Sequence, residues 1–106
     1  MAETALTEAV YYILLSLTRP LHGYGIMQRV QQMSSGRVTL AAGTLYGALS
    51  TLVARGWIEE LPSGTDSRRK EYALTDLGRE ALDSELTRLQ ELVSNGLEWK
   101  ESHDND

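Results

Sequence analysis

The residues with most chemistry to offer in this chain are cations and small polar groups. Arg68, Arg69 and Lys70 are consecutive. Three adjacent positive charges can pair with phosphates along a polyanion, with the salt dependence that counterion release imposes. A solvated strand end would have the same composition, but the run falls on the return side of a loop between two short extended segments, where a backbone could pass. Upstream, Ala42, Gly43 and Thr44 are small enough to let the main chain approach a duplex closely, and the Tyr46 hydroxyl can donate to a phosphate oxygen. Tyr24 carries the same hydroxyl, although either tyrosine could equally be a half-buried aromatic with its tip in water.

Catalysis has no comparable footing. The chain has no cysteine, so it has neither a disulfide framework nor a thiolate ligand or nucleophile. Of its two histidines, His22 stands beside a glycine as a turn or helix-entry residue would, and His103 lies in a charged tail, so no metal site is expected. Hydroxyls and carboxylates are plentiful, yet none has the spacing of a nucleophile with its base or of a phosphate-cradling loop. No enzyme activity, metal or cofactor is expected. The net charge of -5 on its own opposes a polyanion partner, but the acidity is concentrated toward the C-terminal end, while residues 1–56 hold four arginines against Glu3 and Glu8. No apolar run approaches a membrane span and the N-terminus lacks a signal-peptide pattern, so a cytoplasmic location is expected.

The elements that must position these groups follow from periodicity. At 106 residues and 42% apolar content the chain can build one core with an appendage. Thr7 to Leu17 is almost wholly apolar and capped by Thr7 and Glu8, which predicts a helix with one face in the domain and another, including Val10, Tyr11 and Leu14, against a partner chain. A second helix is predicted over the segment from His22 to Met33, where Ile26, Met27, Val30 and Met33 recur at helical spacing. A third opens near Ala42 with Leu45, Leu49 and Leu52 facing the core and ends at Arg55-Gly56. Residues 57–61 and 70–74 then read as a two-stranded hairpin around a polar loop. From Thr75 a long helix places Leu82, Leu86, Leu89 and Val93 at steps of four, three and four, the rhythm of a short coiled-coil seam. That seam is a dimer contact first, and an effector pocket only if two such helices splay apart. Trp99 either packs on a neighbouring subunit or offers a stacking plate to a flat ligand. The tail from Glu101 is expected to fray.

Three helices and then a hairpin give a mainly α fold with a two-stranded β wing, a winged helix-turn-helix over residues 1–76 followed by a dimerisation helix and tail over 77–106. Within that order the segments His22-Gly23-Tyr24-Gly25-Ile26, Gly43-Thr44-Leu45-Tyr46, Leu49, Leu52, Gly56-Trp57-Ile58, Arg68-Arg69-Lys70, Tyr72 and Leu74-Thr75 resemble the recurring motifs of the PadR family. The ending from Leu74 to Gly78 also resembles other winged-helix regulators such as the MarR family; the ordered set favours PadR. Ala41 departs from the pattern, because relatives usually carry a capping Ser or Asn there.

The resemblance implies a homodimeric repressor on a pseudo-palindromic operator in double-stranded DNA, with the C-terminal helix of one subunit against the N-terminal helix of the other. It also implies that a small aromatic or drug-like effector binds between the subunits of some relatives. The alternative is a winged-helix protein-interaction adaptor that binds no specific DNA, since one fold serves both.

Overall fold

A computed structural model describes residues 5–62 and 70–104. The first helix, α1 (Glu8–Ser16), begins where the Thr7 hydroxyl accepts the Val10 amide at 3.1 Å, with Glu8 at the positive end of the dipole. It stops just short of Arg19-Pro20, and buried Ser16 satisfies its hydroxyl by donating to the Ile13 carbonyl at 2.6 Å. Ile13 and Leu14 are fully buried, whereas Val10, Tyr11, Tyr12 and Leu15 keep part of their surface. The division of this apolar helix into an inner and an outer face therefore holds, with one correction. Leu14 belongs to the core of its own subunit and cannot line a partner contact or a pocket between subunits.

Leu21–His22 then forms a short strand, β1, which the sequence reading did not anticipate. It pairs antiparallel with the strand before the last helix, Leu21 opposite Tyr72 and His22 opposite Glu71. The wing is thus part of a three-stranded sheet ordered β1, β3, β2, with β2 at Ile58–Leu61 and β3 at Glu71–Leu74. Two residues are too few to show an alternating pattern, and they become a strand only because β3 is there to pair with them. His22 is consequently outside the second helix, α2 (Gly23–Met33), and caps it, its Nδ1 accepting the Gly25 amide at 3.3 Å. At the other end Ser35 and Gly36 turn left-handed with φ of 54° and 80°, and the Gly36 amide donates back to the Gln31 carbonyl at 2.8 Å.

Helix α3 (Ala42–Ala54) buries Leu45, Leu49 and Leu52 as its stripe predicts, and has no side-chain cap at Ala41. These leucines meet Ile13, Leu14, Ile26, Val30 and Ile58 in one core. Each such fully buried side chain stabilises the fold by roughly 1.5–3 kcal/mol. The chain leaves α3 through Gly56 at φ 78° and enters β2, where Ile58 faces the core and Glu59 and Glu60 face water.

Helix α4 (Asp76–Asp104) runs 29 residues and does not fray where the polar tail begins. Thr75 caps it by accepting the Gly78 amide at 3.0 Å, and donates the same hydroxyl to the Gly56 carbonyl at 2.6 Å. Its first half lies on the body, touching α1 and β3, with Ala81, Leu82 and Leu89 partly covered. Beyond Gln90 every residue through His103 is exposed, and the helix gives the molecule its 64 Å long axis. Among the described residues no helix is long and apolar enough to cross a membrane.

Candidate nucleic-acid interface

With Leu45, Leu49 and Leu52 turned inward, the residues left on the outside of α3 are Ala42, Gly43, Thr44, Tyr46, Gly47, Ser50, Thr51 and Ala54, all exposed. No side chain from Val38 to Ala54 is charged. This face is smooth and electrically neutral, so a groove could come within contact distance of the backbone without expelling an ion.

Tyr46 and Tyr24 flank it. The Tyr46 ring lies against the Cα of Gly23, the first residue of α2, so closely that a Cβ there would overlap the phenol. Tyr46 is nevertheless 48% exposed and Tyr24 63% exposed, although the Tyr46 hydroxyl is the part of the ring that lies nearest Gly23. Tyr72 of β3 is a buried core aromatic, and burial pushes its hydroxyl above the ordinary phenol range, with Glu60 and Tyr46 adding to the shift. Tyr72 is thus a neutral floor beneath Tyr46. Sequence reasoning missed the rest of this side of α2. Gln28, Gln31 and Gln32 are exposed at helical spacing from Tyr24 and supply further neutral donors.

The charge pattern around this face is one-sided. Between Glu8 and Glu59 the chain has no Asp or Glu at all, only Arg19, Arg29, Arg37 and Arg55. α2, α3 and most of α1 are therefore free of carboxylates. Two of the four cations are already engaged: Arg37 pairs with Glu8, and Arg55 lies 5.1 Å from the centre of the Trp57 ring. Arg29 projects from α2 and is exposed.

At the wing, Arg68 and Arg69 lie outside the described residues. Lys70 is described and exposed, and its ammonium sits 3.5 Å from Glu60 on the neighbouring strand. Glu59, Glu60 and Glu71 make the base of the wing acidic. Lys70 is thus a partly neutralised member of the basic run, so free charge for a phosphate would have to come from the loop ahead of it.

Along α4, Leu86, Val93 and Leu97 stand exposed on one side of the helix beside half-covered Leu89, while Leu92 and Trp99 are exposed on another. Val10 and Tyr11 of α1, an element in contact with α4, keep part of their surface accessible. Trp99 stacks on His103 with ring centres 4.6 Å apart, and the His103 ring also bonds the Trp99 carbonyl at 2.8 Å. Among the described residues no element covers the Leu86, Val93 and Leu97 side of this helix.

Among the described residues no three His, Asp or Glu side chains converge on a point that could hold a metal ion.

Comparison with known proteins is consistent with this arrangement. Over 66 residues the chain is 41% identical to an uncharacterised 37.1 kDa protein in transposon TN4556 of Streptomyces fradiae, a match that takes in 62% of this chain and 18% of that protein. Among solved structures it is similar to a PadR family transcription regulator from hypervirulent Clostridium difficile, with a TM-score of 0.69 and 26% identity over 86% of this chain and 98% of the other. It is also similar to RosR of H. salinarum, with a TM-score of 0.67 and 25% identity over 91% and 97% of the two chains. A transcriptional regulator from Clostridium thermocellum shares the fold at a TM-score of 0.69 and 20% identity, covering 85% and 88%. The model of the transcriptional regulator PadR-like family matches residues 12–84, which run from within α1 into α4, and the chain therefore belongs to that family.

Proposed function

We propose that the protein is a homodimeric repressor that grips double-stranded DNA with the outer face of α3 and with its wing. The observation that carries this reading is the absence of carboxylates from Ala9 to Ile58, the stretch that builds α2 and α3, in a chain that is acidic overall. Such a segregation lowers the repulsion between one face and a polyanion while leaving the rest of the molecule soluble. Thr44 and the Tyr24 and Tyr46 hydroxyls would anchor phosphates, Ala42 and Gly43 would let the helix approach, and Arg68, Arg69 and Lys70 would follow the backbone beside it. Two subunits joined through α4 and the outer face of α1 would double this modest cationic patch and set two α3 helices about one turn of DNA apart, which calls for a pseudo-palindromic site.

A small aromatic effector seated between the subunits, near Leu86, Leu89, Val93 or Trp99, would release the operator by changing the spacing of the two α3 helices. The adaptor alternative draws support from the acidic wing base, and one experiment separates the two. In a mobility-shift series over rising salt with promoter DNA from upstream of its own gene, the repressor reading expects tight binding that weakens steeply with salt. The pair Arg68→Ala and Arg69→Ala should lower both affinity and salt slope. Unchanged values would remove the wing from the interface, and a failure to bind any promoter fragment would leave the adaptor.

A further inference from the structure

The glycines of this chain divide by whether the fold needs them. Gly36 and Gly56 take left-handed φ of 80° and 78°, and at Gly23 and Gly78 a Cβ would overlap Tyr46 and the Trp57 carbonyl. Gly43 and Gly47 answer to neither reason: both have ordinary helical backbone, and nothing lies within 4 Å of where a Cβ would stand. Only proline is costlier than glycine inside a helix, and alanine would serve the fold better at both positions. Gly96 of α4 is of the same kind. The three glycines that the subunit fold does not require thus all stand exposed.

Gly43, Gly47, Ser50 and Ala54 follow one another at steps of four, three and four, so they share a single line along the outside of α3. Thr51, one turn from Gly47 and exposed, donates its hydroxyl to the Gly47 carbonyl at 3.2 Å, which spends its proton inside the helix. Base edges in the major groove are discriminated by recognisable side chains, guanine by Arg or Lys, adenine by Asn or Gln, cytosine by Asp or Glu, whereas Ser and Thr hydroxyls bond more than one edge and discriminate little. α3 carries none of these from Ala42 to Ala54. What it does carry matches the fourth edge, because threonine methyls and alanine pack on the 5-methyl group of thymine.

We infer that α3 reads its half-site by close apolar contact with thymine methyls, with Gly47 at the point where the helix backbone comes nearest the groove. The inference rests on the DNA-binding reading above and adds the base chemistry recognised.

The test uses the full chain and an operator fragment selected by it from genomic DNA. Gly47→Ala should raise the thermal midpoint, because alanine favours the helix, and yet weaken operator binding by about tenfold or more, leaving affinity for unrelated DNA and the salt slope unchanged. Replacing half-site thymines by deoxyuridine, which removes only the methyl group, should weaken the wild-type complex at least about threefold, while 7-deazaguanine should not. Operator binding by Gly47→Ala at wild-type strength would overturn the inference, as would a lowered midpoint or indifference to deoxyuridine. If the wild-type protein binds no fragment at all, the DNA reading itself fails and this one with it, an outcome distinct from binding that ignores the methyl groups.

Discussion

Gly23 and Tyr46 form the tightest residue-level contact on the candidate interface, and it couples the start of α2 to the start of α3. Gly23→Ala would force the phenol away. Its cost should be about 1–3 kcal/mol, the range for overpacking, and should be largely relieved when Tyr46→Ala is added. Chemical denaturation of the four variants of that cycle measures the coupling, and additive costs would mean that the ring moves freely. Glu85 is the other residue with a sharp consequence. It is only 5% exposed on α4, yet Arg88 hydrogen-bonds both of its carboxylate oxygens at 2.7 and 2.8 Å, and the Leu6 amide adds a third bond at 3.2 Å. The Arg88 bonds above all, with the Leu6 amide, hold its pKa below the usual carboxylate range against the upward push of burial. A depressed carboxylate contributes stability above the ordinary glutamate pKa of about 4.3 and loses it as pH falls through that range. Glu85→Gln should therefore lower stability by about 1–2 kcal/mol at pH 7, with the gap to wild type closing toward pH 3. Denaturation midpoints measured across that range would refute this if the gap stayed constant.

At the scale of elements, the joint between the α3–β2 turn and α4 is the part least tolerant of change. Thr75 ties the two together through its amide to the Trp57 carbonyl at 3.0 Å, its hydroxyl to Gly56, and its cap of Gly78. Gly78 lies directly over the Trp57 carbonyl, with no room for a Cβ. Because that carbonyl is backbone held by a hydrogen bond, it cannot swing aside as a side-chain tip would. Gly78→Ala should cost about 3 kcal/mol, the upper end of overpacking, whereas Gly36→Ala, opposed only by its left-handed φ, should cost less. Thermal melts of the two variants check the order. The same joint fixes the direction in which α4 leaves the body relative to α3.

For the whole molecule, the main open energetic term is the exposed apolar row on α4. Val93 and Leu97 are each 59% exposed, so charged substitutions there should leave the subunit fold intact. If that row is the dimer contact, Val93→Glu with Leu97→Glu should weaken self-association by about thirtyfold or more, as loss of a central apolar contact typically does. Sedimentation equilibrium reads that directly, with circular dichroism to verify an unchanged subunit. An unshifted dimer would send the search for the contact back to α1. Operator binding should fall in parallel, because a single subunit presents half the cations.

Much of the fold was legible because it is local. The stripes of α2 and α3, the caps at Thr7 and Thr75, the stop at Gly56 and the two wing strands are all written in neighbouring residues, and a single chain without cysteines already argued against a disulfide or thiolate site. The small outer residues at the start of α3 were legible for the same reason: whatever is not on the leucine stripe must face out. The sequence alone determined these features because helical period, caps and breakers act within a few residues. Only the tertiary structure decided that Leu21–His22 is a strand, since its partner lies some fifty residues away, and that Leu14 is core while Val10 and Tyr11 are not fully covered. It also decided that Lys70 of the basic run is paired with Glu60, which depends on strand register. Burial and pairing between distant segments are properties of the packed chain, and no local pattern can assign them.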